Sequence, residues 1–186
     1  MKHLVLSWAG LALPLVLTAC SAPGSSADEW PAAESSSAAT AAAQAGFRRL
    51  AALEGDWVGE GPADGPGPMT VSYRLTGGGS ALVETLFAGT ADEMITIYTV
   101  EGGDLMLTHY CSFGNQPRMR AAPMQGDVLD FRFAGGANLD PQRDDHMHDA
   151  RYEFVSDDEL LIEWTGWSGG RADTEHQARV RLTRKT

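Results

Sequence analysis

From residue 56 onward the chain alternates. Met69-Thr-Val-Ser-Tyr-Arg-Leu75 sets apolar against polar side chains at every second position, and Glu175-His-Gln-Ala-Arg-Val-Arg-Leu-Thr183 does the same. A period of two belongs to a strand with one buried face. The same reading covers 56–60, 80–88, 94–101, 104–111, 118–122, 127–133, 146–155 and 159–166. Between these runs stand Gly77-Gly78-Gly79, Gly102-Gly103, Gly135-Gly136, Asp157-Asp158 and Gly169-Gly170, residues suited to tight turns. Short strands joined by hairpin-length turns predict an all-β protein. Consecutive hairpins without a long crossover predict an antiparallel up-and-down β-barrel of about 8–10 strands, which closes its own edges. One segment departs from this period. Ala41–Leu53 places Phe47, Leu50 and Leu53 on one side, which predicts a single short helix across one barrel end, stopped by Gly55.

The first forty residues have a different pattern. Lys2 and His3 precede an apolar run from Leu4 to Val16, and Leu17-Thr18-Ala19-Cys20 follows. A charged start, a short apolar middle and small residues before a cut site make a secretory signal over 1–19. The run is shorter than the ~20 apolar residues that span a bilayer. The Leu-Thr-Ala-Cys box resembles the bacterial lipoprotein signal, which implies that Cys20 is lipidated and becomes the first residue of the mature chain. Residues 20–40 are rich in Ser, Ala and Pro, a composition that cannot bury enough apolar surface to order itself, and so read as a tether. Ser21 stands where a retention signal would carry Asp. The resemblance therefore implies the outer membrane, facing the periplasm, with the acyl chains as the membrane contact. The folded domain is expected over 41–186, long enough for a real core.

Charge narrows the partners. The chain has 14 basic and 25 acidic residues; without the signal's Lys2 its net charge is −12. Nucleic-acid affinity comes largely from Lys and Arg on phosphates, so nucleic acid is a poor partner. With Cys20 used by the lipid, Cys111 has no cysteine to pair with.

Gly55-Asp56-Trp57 follows the expected helix and opens the first expected strand. That placement resembles the Gly-x-Trp signature of the calycin superfamily, which includes lipocalins, fatty-acid-binding proteins and nitrobindin-like barrels. The resemblance implies that an Arg of the last strand packs over Trp57, with Arg181 and Arg184 the candidates. It also implies a small, apolar or amphipathic ligand in a barrel cavity, or haem held through a histidine.

The chemistry available to such a barrel lies in its histidines. Parity puts His109 with Leu105, Leu107 and Cys111. It puts His146 and His148 with Ala150, Tyr152 and Phe154, and His176 with Ala178, Val180 and Leu182. Each therefore shares the core-facing set. Two readings follow. His146, His148, His109 and Cys111 hold zinc or copper, which imidazole and thiolate suit, with Asp144, Asp145 and Asp149 as supporting acceptors. Or they are ligand-lining or core residues satisfied by backbone carbonyls and hydroxyls. Cys111 beside His109 also raises a nucleophile and base, although no third member is spaced to orient the imidazole. Arg118 and Arg120, after the Gly114-Asn115-Gln116-Pro117 turn, point the same way and are candidates to clamp a ligand carboxylate. Tyr98, Tyr110, Trp164 and Trp167 read as core or barrel-end packing. Phosphate-loop, serine-elbow and His-Glu-x-x-His patterns are absent from the sequence, so no catalytic residue is assigned. A third class, an envelope protein whose barrel is simply filled, remains open.

Overall fold

The computed structural model describes residues 37–60 and 68–186. The expected signal, Cys20 and the tether up to residue 36 lie outside them, as does the side chain of His176. The described chain forms α1 (Ser37–Ala51) and ten strands: β1 (Gly55–Gly59), β2 (Met69–Thr76), β3 (Ala81–Leu86), β4 (Met94–Glu101), β5 (Asp104–Tyr110), β6 (Gln116–Ala121), β7 (Val128–Ala137), β8 (His146–Phe154), β9 (Glu159–Ser168) and β10 (Arg171–Arg184). Every strand pairs antiparallel with its sequence neighbour, and β1 closes on β10 through Trp57↔Arg184, Val58↔Thr183 and Gly59↔Leu182. The result is the closed up-and-down barrel that the alternation predicts, and it is consistent with a calycin-like fold. No helix among the described residues is long and apolar enough to cross a membrane.

Antiparallel order gives the barrel two distinct ends. One end holds α1, the start of β1 and the end of β10. There Gly46 brings the helix so close to β5 that an added Cβ would lie 2.8 Å from Leu105 Cδ2. Ala43, Leu50 and Leu53 are buried at this base. Trp57, 1% exposed, donates from Nε1 to Leu53 O at 2.7 Å and carries the Arg184 guanidinium 4.5 Å from its ring centroid. Arg184 also donates to the carbonyls of Ala52, Glu54 and Asp157. A guanidinium on an indole gains cation–π attraction, and here it also satisfies carbonyls that the helix end leaves open. Arg184 thus fills the position sought over Trp57. Arg181 does not: it faces outward and pairs with Glu159.

The middle of the barrel is filled. Tyr73, Leu82, Tyr98, Leu107, Met119, Phe131, Tyr152, Leu160 and Leu182 come from nine strands, and none is accessible to solvent. Tyr98 on β4 meets Tyr152 on β8 hydroxyl to hydroxyl at 2.7 Å, a contact that crosses the interior. Hydrophobic burial of this kind is the main favourable term in the fold.

Candidate functional site

At mid-height the core carries a polar row. Tyr73, Glu84, Thr96 and His109 are successive cross-strand partners on β2, β3, β4 and β5. Cross-strand partners share a face, and all four are buried. Glu84 accepts from Tyr73 Oη at 2.7 Å and from Tyr98 Oη at 2.8 Å. Thr96 Oγ1 lies 2.9 Å from His109 Nδ1. Burial pushes the Glu84 carboxyl above its ordinary range, against the hydrogen bonds that favour its ionised form. Burial also pulls His109 down to about 4, so its imidazole is neutral at pH 7. The His109 ring packs on Trp164 with centroids 4.9 Å apart. Trp164 belongs to β9, four strands away around the wall, so this contact too crosses the interior.

Beyond that row lies the end opposite α1, the barrel mouth. His146 opens β8 and is fully buried. Its Nδ1 lies 2.8 Å from Asp144 O, and its Nε2 lies 2.9 Å from His148 Nδ1. The ladder between β8 and β9 shifts by one residue between Met147 and Asp149. That shift is a β-bulge, with His148 the unpaired residue, and a bulge re-aims a side chain. The His148 ring is stacked between Trp167, 3.9 Å and 12° away, and Phe133, 4.4 Å and 16° away. Both rings and His148 are half-buried. Burial lowers the His148 pKa most; His146 adds to that and Asp149 opposes it.

Asn115 completes the mouth. It is 3% exposed and its Nδ2 donates to Asp145 O at 2.8 Å, one carbonyl beyond the one His146 uses. Its Oδ1 is buried with no hydrogen-bond partner among the described residues. A buried polar atom left unpaired costs about 1–3 kcal/mol.

The structure therefore joins His146 to His148 and sets His109 apart on Trp164 and Thr96. Cys111 is buried, and burial raises its thiol pKa. A raised thiol is a weak nucleophile, which does not favour the nucleophile-and-base reading. Asp144 and Asp145 meet His146 and Asn115 through backbone carbonyls, the Asp144 carboxylate accepts from the Asp140 amide, and the Asp149 carboxylate meets Arg132 and the Phe133 amide. The expected arginine clamp is not formed inside the barrel. Pro117 and Met119 take the buried positions of β6, so Arg118 and Arg120 turn outward to Glu101 and Asp104. Tyr98 and Trp164 are core as expected, whereas Tyr110 is exposed and Trp167 stacks on His148.

Sequence reasoning missed Glu84, Asn115 and Phe133. A signal existed for Glu84, which shares strand parity with Leu82 and Leu86 and is the one acid on that apolar face. Asn115 lay in a segment read only as a turn.

Zinc, copper and haem each need ligands or space that these side chains do not supply. Among the described residues no three of His, Cys, Asp and Glu come together as a ligand set. His146 has both ring nitrogens engaged in this arrangement. The tyrosines and Phe131 occupy the interior that a macrocycle would need. The described residues do not fit either group. Compared with known proteins, the chain matches no family model, and a search of curated proteins finds no match.

Proposed function

We propose that this chain is a lipid-anchored envelope protein with a calycin-like barrel that binds a small ligand at its mouth. The observation that supports the reading is the division of the interior. From Trp57 to the Glu84 row the barrel is filled, while His146, His148 and Asn115 gather at the far end beside half-buried rings. Ligand sites combine apolar walls with a few placed polar groups, and the mouth offers both. A long acyl chain reaching down the axis is not the ligand favoured, because the middle has no room for it and Arg118 and Arg120 face away. The ligand is a compact molecule.

Native mass spectrometry of the protein purified from its own cell envelope tests this. A bound small molecule is expected that leaves on denaturation and is lost in His148→Ala. Retention of the same mass by that variant would place the ligand elsewhere. The anchor has its own test. Cys20→Ser is expected to shift the protein from the membrane to the soluble fraction, and unchanged fractionation would end the lipoprotein reading.

A further inference from the structure

The hydrogen-bond chain at the mouth fixes which atoms are left to meet a ligand. Asp144 O can only accept, so His146 Nδ1 carries the proton of that bond. With Nδ1 as its donor, His146 turns Nε2 to His148 Nδ1 as the acceptor of the second bond. His148 in turn keeps its lone pair on Nε2. The second orphan is Asn115 Oδ1, since Nδ2 is spent on Asp145 O. Two consecutive carbonyls thus pin His146 and Asn115, and the acceptors left over are His148 Nε2 and Asn115 Oδ1.

We propose that the mouth is an acceptor site for a small aromatic molecule bearing an N–H or O–H donor. His148 Nε2 and Asn115 Oδ1 are its acceptors, and His146 is the positioning residue that sets the His148 tautomer. The inference rests on the reading that the mouth binds a ligand. The aromatic class follows from the walls, where Phe133 and Trp167 hold the His148 plane. Burial keeps His148 neutral at pH 7, so its Nε2 lone pair is available. Asn115 Oδ1 is enclosed, so a donor can meet it only if the Cys111–Asn115 turn moves. Backbone bonds from Cys111 N to Asn115 O and from Gly114 N to Cys111 O hold that turn. Because a neutral donor suffices, the ligand needs no positive charge. A ring without a donor leaves both acceptors unpaired, which is how such a site discriminates.

Long-range ¹H–¹⁵N NMR of the histidine side chains, on the full lipidated chain in detergent at pH 7.5, tests the proposal with indole and 1-methylindole as probes. His148 is expected as the Nδ1–H tautomer, and His146→Phe is expected to release that preference. Indole is expected to shift His148 Nε2 and the Asn115 amide, and 1-methylindole to bind about tenfold more weakly, the worth of one buried hydrogen bond. His148→Phe keeps the ring stack and removes the acceptor, and is expected to erase the difference between the probes. An Nε2–H tautomer at His148, or equal affinity for the two probes, overturns the acceptor proposal while leaving a mouth site standing. No shift at the mouth with either probe overturns both.

Discussion

Trp57→Ala is expected to lower the unfolding free energy by ~3–5 kcal/mol, the range for truncating a buried aromatic. Its ring is 1% exposed, sits edge-on to Tyr73 with centroids 6.3 Å apart, and supports the Arg184 guanidinium. Removing it opens a cavity at the base and withdraws the surface on which Arg184 lies. It also removes the Nε1 donor to Leu53 O at the end of the helix. Gly55 belongs to the same device. It has φ +136, and a Cβ there would meet Arg184 Nη1 at 3.0 Å, so the glycine both makes the bend and admits the arginine. Urea denaturation of parent and variant measures the effect. A loss below 1 kcal/mol, on the scale of a surface substitution, would mean that the base does not hold the barrel shut.

Stability is expected to depend on pH through two groups working in opposite directions. His109 is pulled from 6.5 to about 4 by burial. Above pH 6.5 it is neutral in both states. As pH falls from 6.5 towards 4 the unfolded chain takes a proton that the fold refuses, so stability is lost across that window, by ~3 kcal/mol in total. Glu84 is raised from its ordinary 4.5. The fold keeps its proton after the unfolded chain has released one, so its contribution is full below 4.5 and fades as pH rises towards the raised value. Where the two windows overlap above pH 4.5 the groups oppose each other, and single variants separate them. His109→Gln is expected to flatten the acid-side loss, leaving the Glu84 decline visible with rising pH; Glu84→Gln is expected to steepen the net rise from pH 4.5. Thermal or urea melts from pH 4 to 7.5 read both slopes. A His109→Gln profile parallel to the parent would show that the imidazole is not held neutral in the core.

The fold was legible because its signal is local. Alternation survives in single strands, so nearly every strand was placed within a few residues. Departures have physical causes. Ser37–Thr40 look like tether by composition, yet they continue the alanine-rich helix. Gly135 and Gly136 read as a turn but lie within β7, where the β6 ladder changes register. β10 begins at Arg171, ahead of an irregularity between Asp173 and Ala178 that breaks the alternation.

The site was legible only in part, because its geometry is tertiary. Parity marked His109, His146 and His148 as inward, and His109 and His146 are buried. Nothing in His146-Met-His148-Asp-Ala150 marks a bulge, and the bulge is what hands His148 to Phe133 and Trp167. Contacts across the barrel, such as His109 on Trp164, join residues 55 positions apart and leave no trace in a short window. At Arg118 and Arg120 parity was available, since they alternate with Pro117 and Met119; the charge of the arginines drew attention from the apolar partners that take the inside.

The most direct measurement is a crystal structure of the protein purified from its native source, with whatever it carries. Density for a compact molecule is expected at the mouth, within hydrogen-bond distance of His148 Nε2 and against Phe133 or Trp167. Density instead on the outer wall, in the groove lined by Asp56, Ser72, Arg74 and Lys185, would contradict a mouth site.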